Sequence, residues 1–252
     1  MTHDSMQRRL IDDYYRTTSA SGSAVGPAAV AASVIQLRRR LGSWLDVENK
    51  DVLDLGSGTG ELCHLAELSG ARSVIGVNLS GDEIEVARGV TGATLVQSDI
   101  TAYLEESEPT SVDRIFALNI LEHLDKDALV KTLQASFRAL RAGGSLVAMV
   151  PNATSPFGSM TRYWDITHQN AFTPSSVRQL SRYVGFGDDV SFRECGPVPH
   201  GLKSGVRFLL WQVIRIGIRA YLMIELASGK GGIYTADMQV RLVKQANRTV
   251  GG

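Results

Sequence analysis

The stretch Asp51–Gly70, DVLDLGSGTGELCHLAELSG, decides the fold. It opens with a short unbroken apolar run, passes through Gly56, Gly58 and Gly60, and continues with apolar residues at helical spacing. A run of that length with no polar alternation suits a strand buried on both faces, so a strand, a glycine turn and a helix follow in order. Glycines at such a turn let the backbone bend sharply and approach a ligand closely, while the next helix offers its N-terminal dipole. The dinucleotide pattern GxGxxG is not met, because Glu61 stands where its third glycine would be.

Outward from this stretch the same unit repeats. SVIGVNL, ATLVQSD, DRIFALN and GSLVAMVP are strand-length apolar runs, separated by the helical segments GDEIEVARGV and DALVKTLQASFRALRAGG. Such alternation predicts an α/β doubly wound, Rossmann-like, mostly parallel sheet with helices on both faces. Ahead of it, residues 1–45 form an N-terminal cap segment and a helix from Ala28 to Trp44. Residues 46–152 are the core. Residues 153–252 add a substrate-side segment, an apolar helix and antiparallel strand, within the same domain.

In open sheets of this kind ligands lie beyond the carboxyl ends of the strands. Strand two ends at Asn78 and strand three at Asp99, and these can hold ribose hydroxyls and an adenine amino group, with Leu79 and Ile100 against the base. VLDLGSGTG, VIGVNLS, VQSDI, DRIFALNILEHL and LRAGGSLVAMVPN, in this order over about residues 50–152, resemble the motifs of class I S-adenosylmethionine-dependent methyltransferases. The resemblance implies that Asp54, Gly56, Ser57, Gly58 and Gly60 surround the methionine part of the cofactor. Asp99 and Ile100 would hold the adenine, and Asn119 would sit near the sulfonium. The family's second motif usually ends in a carboxylate, and Asn78 replaces it here, so Asn78→Asp is expected to tighten binding.

The acceptor side is read from YWDITHQNAFTP, Tyr163–Pro174. A histidine titrates near neutral pH and can take a proton from an acceptor hydroxyl. His168 is a base candidate, with Asp165 to orient it or bind a sugar hydroxyl, and the structural alternative is that the two tie the loop to the sheet; Tyr163 and Trp164 offer flat faces to a ring. His123, after strand four, is a second catalytic candidate, with pocket closure as its structural alternative. Thr173 or Ser175 caps the helix that follows. His3, His64 and His200 read as tail, crossover-helix and loop residues. Glu122, Asp165 and His168 could approach a cation but match no recognised ligand spacing, so no metal ligand is assigned and metal dependence stays open. THQNAFTPSSVRQLSRYVGF is similar to a bacterial branch associated with polysaccharide and O-antigen biosynthesis, which implies a sugar hydroxyl as acceptor. A small natural product as O- or N-acceptor, and a methyltransferase-like module without catalysis, stay open as alternatives.

Equal numbers of basic and acidic side chains, 26 each, give no field to gather nucleic acid. Two cysteines form no disulfide framework, and the first residues lack a signal peptide's apolar core, which points to the cytoplasm. In the apolar stretch 206–226, Arg207, Arg215, Arg219 and Glu225 argue against a spanning helix, each charge costing about 2.5–3.5 kcal/mol at mid-bilayer. Packing on the sheet or on a second subunit, and a peripheral contact with the inner face of a membrane, remain as its uses.

Overall fold

The computed structural model describes residues 27–226 and 232–246. The cap segment expected over 1–26 and the glycine turn at 227–231 lie outside the described residues. Strands β1 (Asp51–Leu55), β2 (Ser73–Asn78), β3 (Thr94–Gln97), β4 (Val112–Leu118), β5 (Leu140–Pro151), β6 (Val190–Glu194) and β7 (Asp237–Val243) make one sheet in the order β3-β2-β1-β4-β5-β7-β6. β1 to β5 run parallel, and β7 is antiparallel to both β5 and β6. This is the mostly parallel, doubly wound sheet that the strand and helix alternation predicts, with an antiparallel C-terminal addition.

Because successive residues of a strand point to opposite faces, each apolar run feeds two cores at once. Leu53, Ile115, Leu146 and Val240 pack on one face, under α4 (Ile100–Glu106), α5 (Lys126–Ala139) and α7 (Pro174–Val184). Val52, Val74, Phe116 and Val147 pack on the other, under α1 (Pro27–Leu41) and α2 (Glu61–Leu68). The unbroken hydrophobicity of β1, β4 and β5 is the consequence of both faces being covered.

The two ends of the parallel strands differ in chemistry. At the N-terminal edge, Asp51 accepts from Arg72 Nε at 2.9 Å and from Arg141 Nη1 at 2.8 Å, and Arg141 also reaches Asp113 at 2.8 Å. These pairs stitch β1, β4 and β5 together away from any cleft. At the C-terminal edge the strands end in Gly56, Asn78, Asp99, Asn119 and Asn152, all polar or glycine. α3 (Gly81–Arg88) is capped by Ser80 and α7 by Thr173, which forms a capping box with Ser176. β6, with only Val190 and Phe192 alternating, was not foreseen from the sequence, and β7 starts four residues later than the apolar run at Ile233.

After β5 the chain forms α6 (Gly158–Tyr163) and returns to the strand end, where Phe172 N donates to Pro151 O at 2.9 Å. The charged apolar stretch is part of α8 (Leu202–Leu226), a single helix of 25 residues. Among the described residues no helix is long and apolar enough to cross a membrane.

Candidate functional site

Gly56 leaves β1 with φ 72°, and a Cβ there would lie 2.9 Å from Ile120 Cγ1, so both its backbone and its surroundings require glycine. The turn opens a cleft of about 360 Å³ whose lining includes Asp54, Ser57, Gly58, Glu61, Glu83 and Asn119. Asp54 is 2 % exposed and accepts from Cys63 Sγ at 3.5 Å. Burial pushes its pKa up to about 7, against the lowering effect of that hydrogen bond. Ser57 Oγ is buried with no hydrogen-bond partner among the described residues. Gly60 (φ 89°) turns the chain into α2 and packs on Ala87 rather than lining the cleft.

At the end of β2, Asn78 is buried, and its Nδ2 donates to Glu83 Oε2 at 2.7 Å. Glu83 comes from the first turn of α3 and is raised in pKa by burial, partly offset by the Asn78 bond. A carboxylate from five residues later thus stands beside Asn78 at the end of β2. Sequence reasoning missed it because Ser80 and Glu83 have the spacing of a helix capping box, which reads as structural. Asp99 caps α4, its Oδ1 accepting from Thr101 N at 2.9 Å and Ala102 N at 3.0 Å. Leu79 is half-buried and Ile100 is buried in the core; like Asn78 and Asp99, neither is among the residues that line the cleft.

Next to the cleft stands a polar cluster. Asn119, held at φ 54° with its N–H on Met149 O, donates to Glu122 Oε1 at 3.3 Å. The Glu122 side chain is fully buried, and its Oε2 has no partner among the described residues. Burial pushes its pKa up to about 8, against hydrogen bonds from the backbone and Asn119. The Glu122 carbonyl accepts from Gln169 N at 2.7 Å and Asn170 N at 3.1 Å, which brings the THQN segment onto the end of β4.

His123 and His168 then meet edge to face, 4.8 Å between ring centres. Asp165 accepts from Thr167 N at 2.7 Å and Thr167 Oγ1 at 2.6 Å; burial raises its pKa, but these bonds outweigh it and hold the carboxyl below its usual range. With its proton committed to Asp165, the Thr167 hydroxyl accepts from His123 Nδ1 at 2.7 Å. His168 Nδ1 donates to the Thr161 carbonyl at 2.9 Å. In both neutral rings the lone pair is therefore on Nε2. Burial, and secondarily His168, pull the His123 pKa down to about 4. Asp165, expected to orient His168, instead positions His123 through Thr167. One ligand-capable atom each from Glu122, His123 and His168 lies within 4.8 Å of the others, a grouping that their sequence spacing had not suggested.

A second cavity, about 580 Å³, shares Gln36 and Arg40 with the glycine-loop cleft. Its walls include Arg39, His200, Arg207, Trp211, Tyr234 and Asp237. Asn152 shapes one wall by donating to Ile233 O (2.8 Å) and Thr235 O (2.9 Å). Asp237 is raised in pKa by burial, with Arg40 and His168 opposing, and it acts electrostatically on Glu122. Tyr163 and Trp164, expected to face a ring, are 77 % and 76 % exposed and line neither space. The short α6 turns them outward, and the aromatic rings that line the cavity are Phe157, Trp211 and Tyr234. His64 lies on α2 beside Glu67, away from the cluster.

The sequence model of a family described as "Methyltransferase domain" matches residues 28–189, more than half of the chain. A ribosomal protein L11 methyltransferase of Shewanella piezotolerans is 36 % identical over 78 residues, 31 % of this chain and 27 % of that protein; the chain thus spans about a quarter of the length of such curated relatives. Among solved structures, a SAM-dependent methyltransferase from Archaeoglobus fulgidus superposes with TM-score 0.62 at 22 % identity, covering 92 % of this chain and 97 % of that one. Phosphoethanolamine N-methyltransferase 2 of Haemonchus contortus, solved with phosphomonomethylethanolamine and S-adenosylhomocysteine, gives 0.62 at 18 %, covering 95 % and 60 %. At these identities the two structures share the fold.

Proposed function

The chain belongs to the methyltransferase-domain family, and from that premise we propose that it methylates a hydroxyl of a sugar or glycan-like acceptor, with S-adenosylmethionine as donor. The cleft fits this cofactor. A ligand carrying an ammonium and a sulfonium suits a lining with Asp54, Glu61 and Glu83, and the orphaned Ser57 Oγ is a ready partner for its amino-acid end. When bound, the cofactor supplies an electrophilic methyl group. Asp54 and Ser57 hold its amino-acid end, the Asn78–Glu83 pair takes the ribose hydroxyls, and Asp99 keeps Oδ2 for the adenine side while Oδ1 caps α4.

The chain's remaining work is to place the acceptor and make its oxygen nucleophilic. Trp211 and Tyr234 offer flat apolar faces, and Arg39, His200 and Asp237 offer polar partners, a combination suited to a hydroxylated ring. Three guanidinium groups, from Arg39, Arg40 and Arg207, against Asp237 favour an acceptor with an anionic substituent. The observation that carries the reading is the junction of the two spaces. They share Gln36 and Arg40, and a residue of each acts on the Glu122–histidine cluster, which itself lines neither: Asn119 of the cleft donates to Glu122, and Asp237 of the cavity interacts electrostatically with His168.

α8 supports a lipid-linked acceptor. Leu209, Leu210, Val213, Ile216 and Ile224 are exposed along it, while Lys203, Arg207, Arg215 and Arg219 outnumber Glu225. An apolar face with a cationic excess suits the surface of an anionic bilayer.

The test is transfer of labelled methyl from S-adenosylmethionine into an extract of the source organism, separated into lipid, polymer and small-molecule fractions. Label in lipid or polymer, lost with His168→Ala, supports the glycan acceptor. Label confined to small molecules selects a natural-product enzyme, and no transfer together with no cofactor binding selects a non-catalytic module.

A further inference from the structure

We propose that Glu122, His123 and His168 form a divalent transition-metal site that the acceptor's oxygen completes. Two imidazoles and one carboxylate from two separate segments converge, with ligand-capable atoms within 4.8 Å of one another. Such a set, with positions left open, is the arrangement that binds a metal together with an oxygen substrate. Two nitrogens and one oxygen favour Mn(II), Fe(II), Co(II) or Zn(II) over the all-oxygen preference of Ca(II) and Mg(II).

Three features point to a cation. The Glu122 side chain is fully buried, and its Oε2 has no partner among the described residues; a metal would supply the partner that such a buried oxygen needs. Both rings direct Nδ1–H at oxygen acceptors, Thr167 Oγ1 for His123 and Thr161 O for His168, which leaves the coordinating lone pair on Nε2 in each. The Asp165–Thr167–His123 chain is the outer-shell carboxylate support that metal-binding imidazoles use to fix tautomer and orientation.

The inference deepens the proposed hydroxyl methylation and rests on that reading for its purpose. A cation held by this cluster would orient an acceptor that reaches it and acidify its hydroxyl. The O–H bond breaks with its proton passing to water, and an oxygen lone pair forms the bond to the methyl carbon as that carbon's bond to sulfur breaks toward sulfur. In this form His123 and His168 hold the metal rather than accept the proton themselves.

The probe is Co(II), titrated into the metal-free full chain and followed by its visible absorption, with S-adenosylhomocysteine binding measured separately by calorimetry. Saturable one-to-one binding is expected, weakened at least about tenfold in His168→Ala and in Glu122→Gln, with melting temperature and S-adenosylhomocysteine affinity unchanged; Thr167→Val is expected to weaken it about 10- to 100-fold, as loss of outer-shell support does. His168 is half-buried, so its variant tests the site even if the buried Glu122→Gln chain does not fold. No saturable Co(II) binding, or binding that none of the three variants changes, overturns the metal site. S-adenosylhomocysteine binding without Co(II) binding rejects the metal alone. Co(II) binding without S-adenosylhomocysteine binding keeps the metal site and rejects the methyl-transfer reading.

Discussion

Between pH 6 and pH 8 the affinity for S-adenosylhomocysteine is expected to rise about tenfold, because Asp54 must give up a proton to receive the ligand's ammonium. Burial pushes the Asp54 pKa up to about 7, so the carboxyl is mostly protonated at pH 6 and mostly ionised at pH 8. If only the ionised form pairs with the ammonium, affinity falls by about a factor of ten per unit below the pKa and levels off above it, so about 1.4 kcal/mol is at stake over this interval. The sign for folding is the reverse. A carboxyl whose folded pKa is raised costs the unliganded protein no stability below its ordinary pKa near 3.8, and progressively more as pH rises through 7. Calorimetry at pH 6, 7 and 8, in buffers of different ionisation enthalpy, reads both the affinity and the protons released. Close to one proton is expected to leave at pH 6 and few at pH 8. Asp54→Asn is expected to bind weakly at all three pH values with no proton release. A wild-type affinity that is flat from pH 6 to pH 8, or a slope that survives in Asp54→Asn, would refute the reasoning.

Three further outcomes are expected. Glu83→Gln weakens S-adenosylhomocysteine binding by about 1.5–3 kcal/mol, the range for hydrogen bonds to a charged group, and Asn78→Asp now also weakens it, because it sets a second carboxylate where Asn78 donates to Glu83 at 2.7 Å; calorimetry reads both. Asp51 is held well below the usual carboxylate range, first by its hydrogen bond with Arg72, so its contribution to stability is present above about pH 3.8 and lost as the pH falls below that; the melting temperature of Asp51→Asn is expected to fall less than that of wild type as the pH is lowered through that range. Co-sedimentation with vesicles containing anionic lipid is expected for wild type and reduced in Leu209→Glu with Ile216→Glu. A concentration-dependent dimer with no vesicle binding would assign α8 to a second copy of the chain instead.

What was legible in the sequence follows from local physics. The strands are unbroken apolar runs because both sheet faces are covered, and the glycine turn is fixed by φ values that side chains avoid. The strand-end positions Asp54, Ser57 and Asn119 could be placed because a parallel sheet carries its ligand groups there. Glu83 was not legible, since its reach to Asn78 depends on how α3 sits over the strand end. Tyr163 and Trp164 were misplaced for a related reason. Their segment is tied down by Glu122, Pro151 and Arg162 contacts to its backbone, and these turn the aromatic rings outward while bringing His168 in. The aromatic residues of the cavity come instead from Phe157 ahead of α6, from α8 and from the turn before β7, elements distant in sequence whose convergence no spacing encodes.

The measurement that tests the central claim most directly is a carbon-13 spectrum of the product formed from S-adenosylmethionine labelled at its methyl carbon, with lipid and polymer fractions of the source cells as acceptors. The account predicts a new methyl resonance in the range of an ether carbon on oxygen, absent with His168→Ala. A methyl carbon on nitrogen, or no new resonance while S-adenosylhomocysteine still binds the cleft, would contradict it.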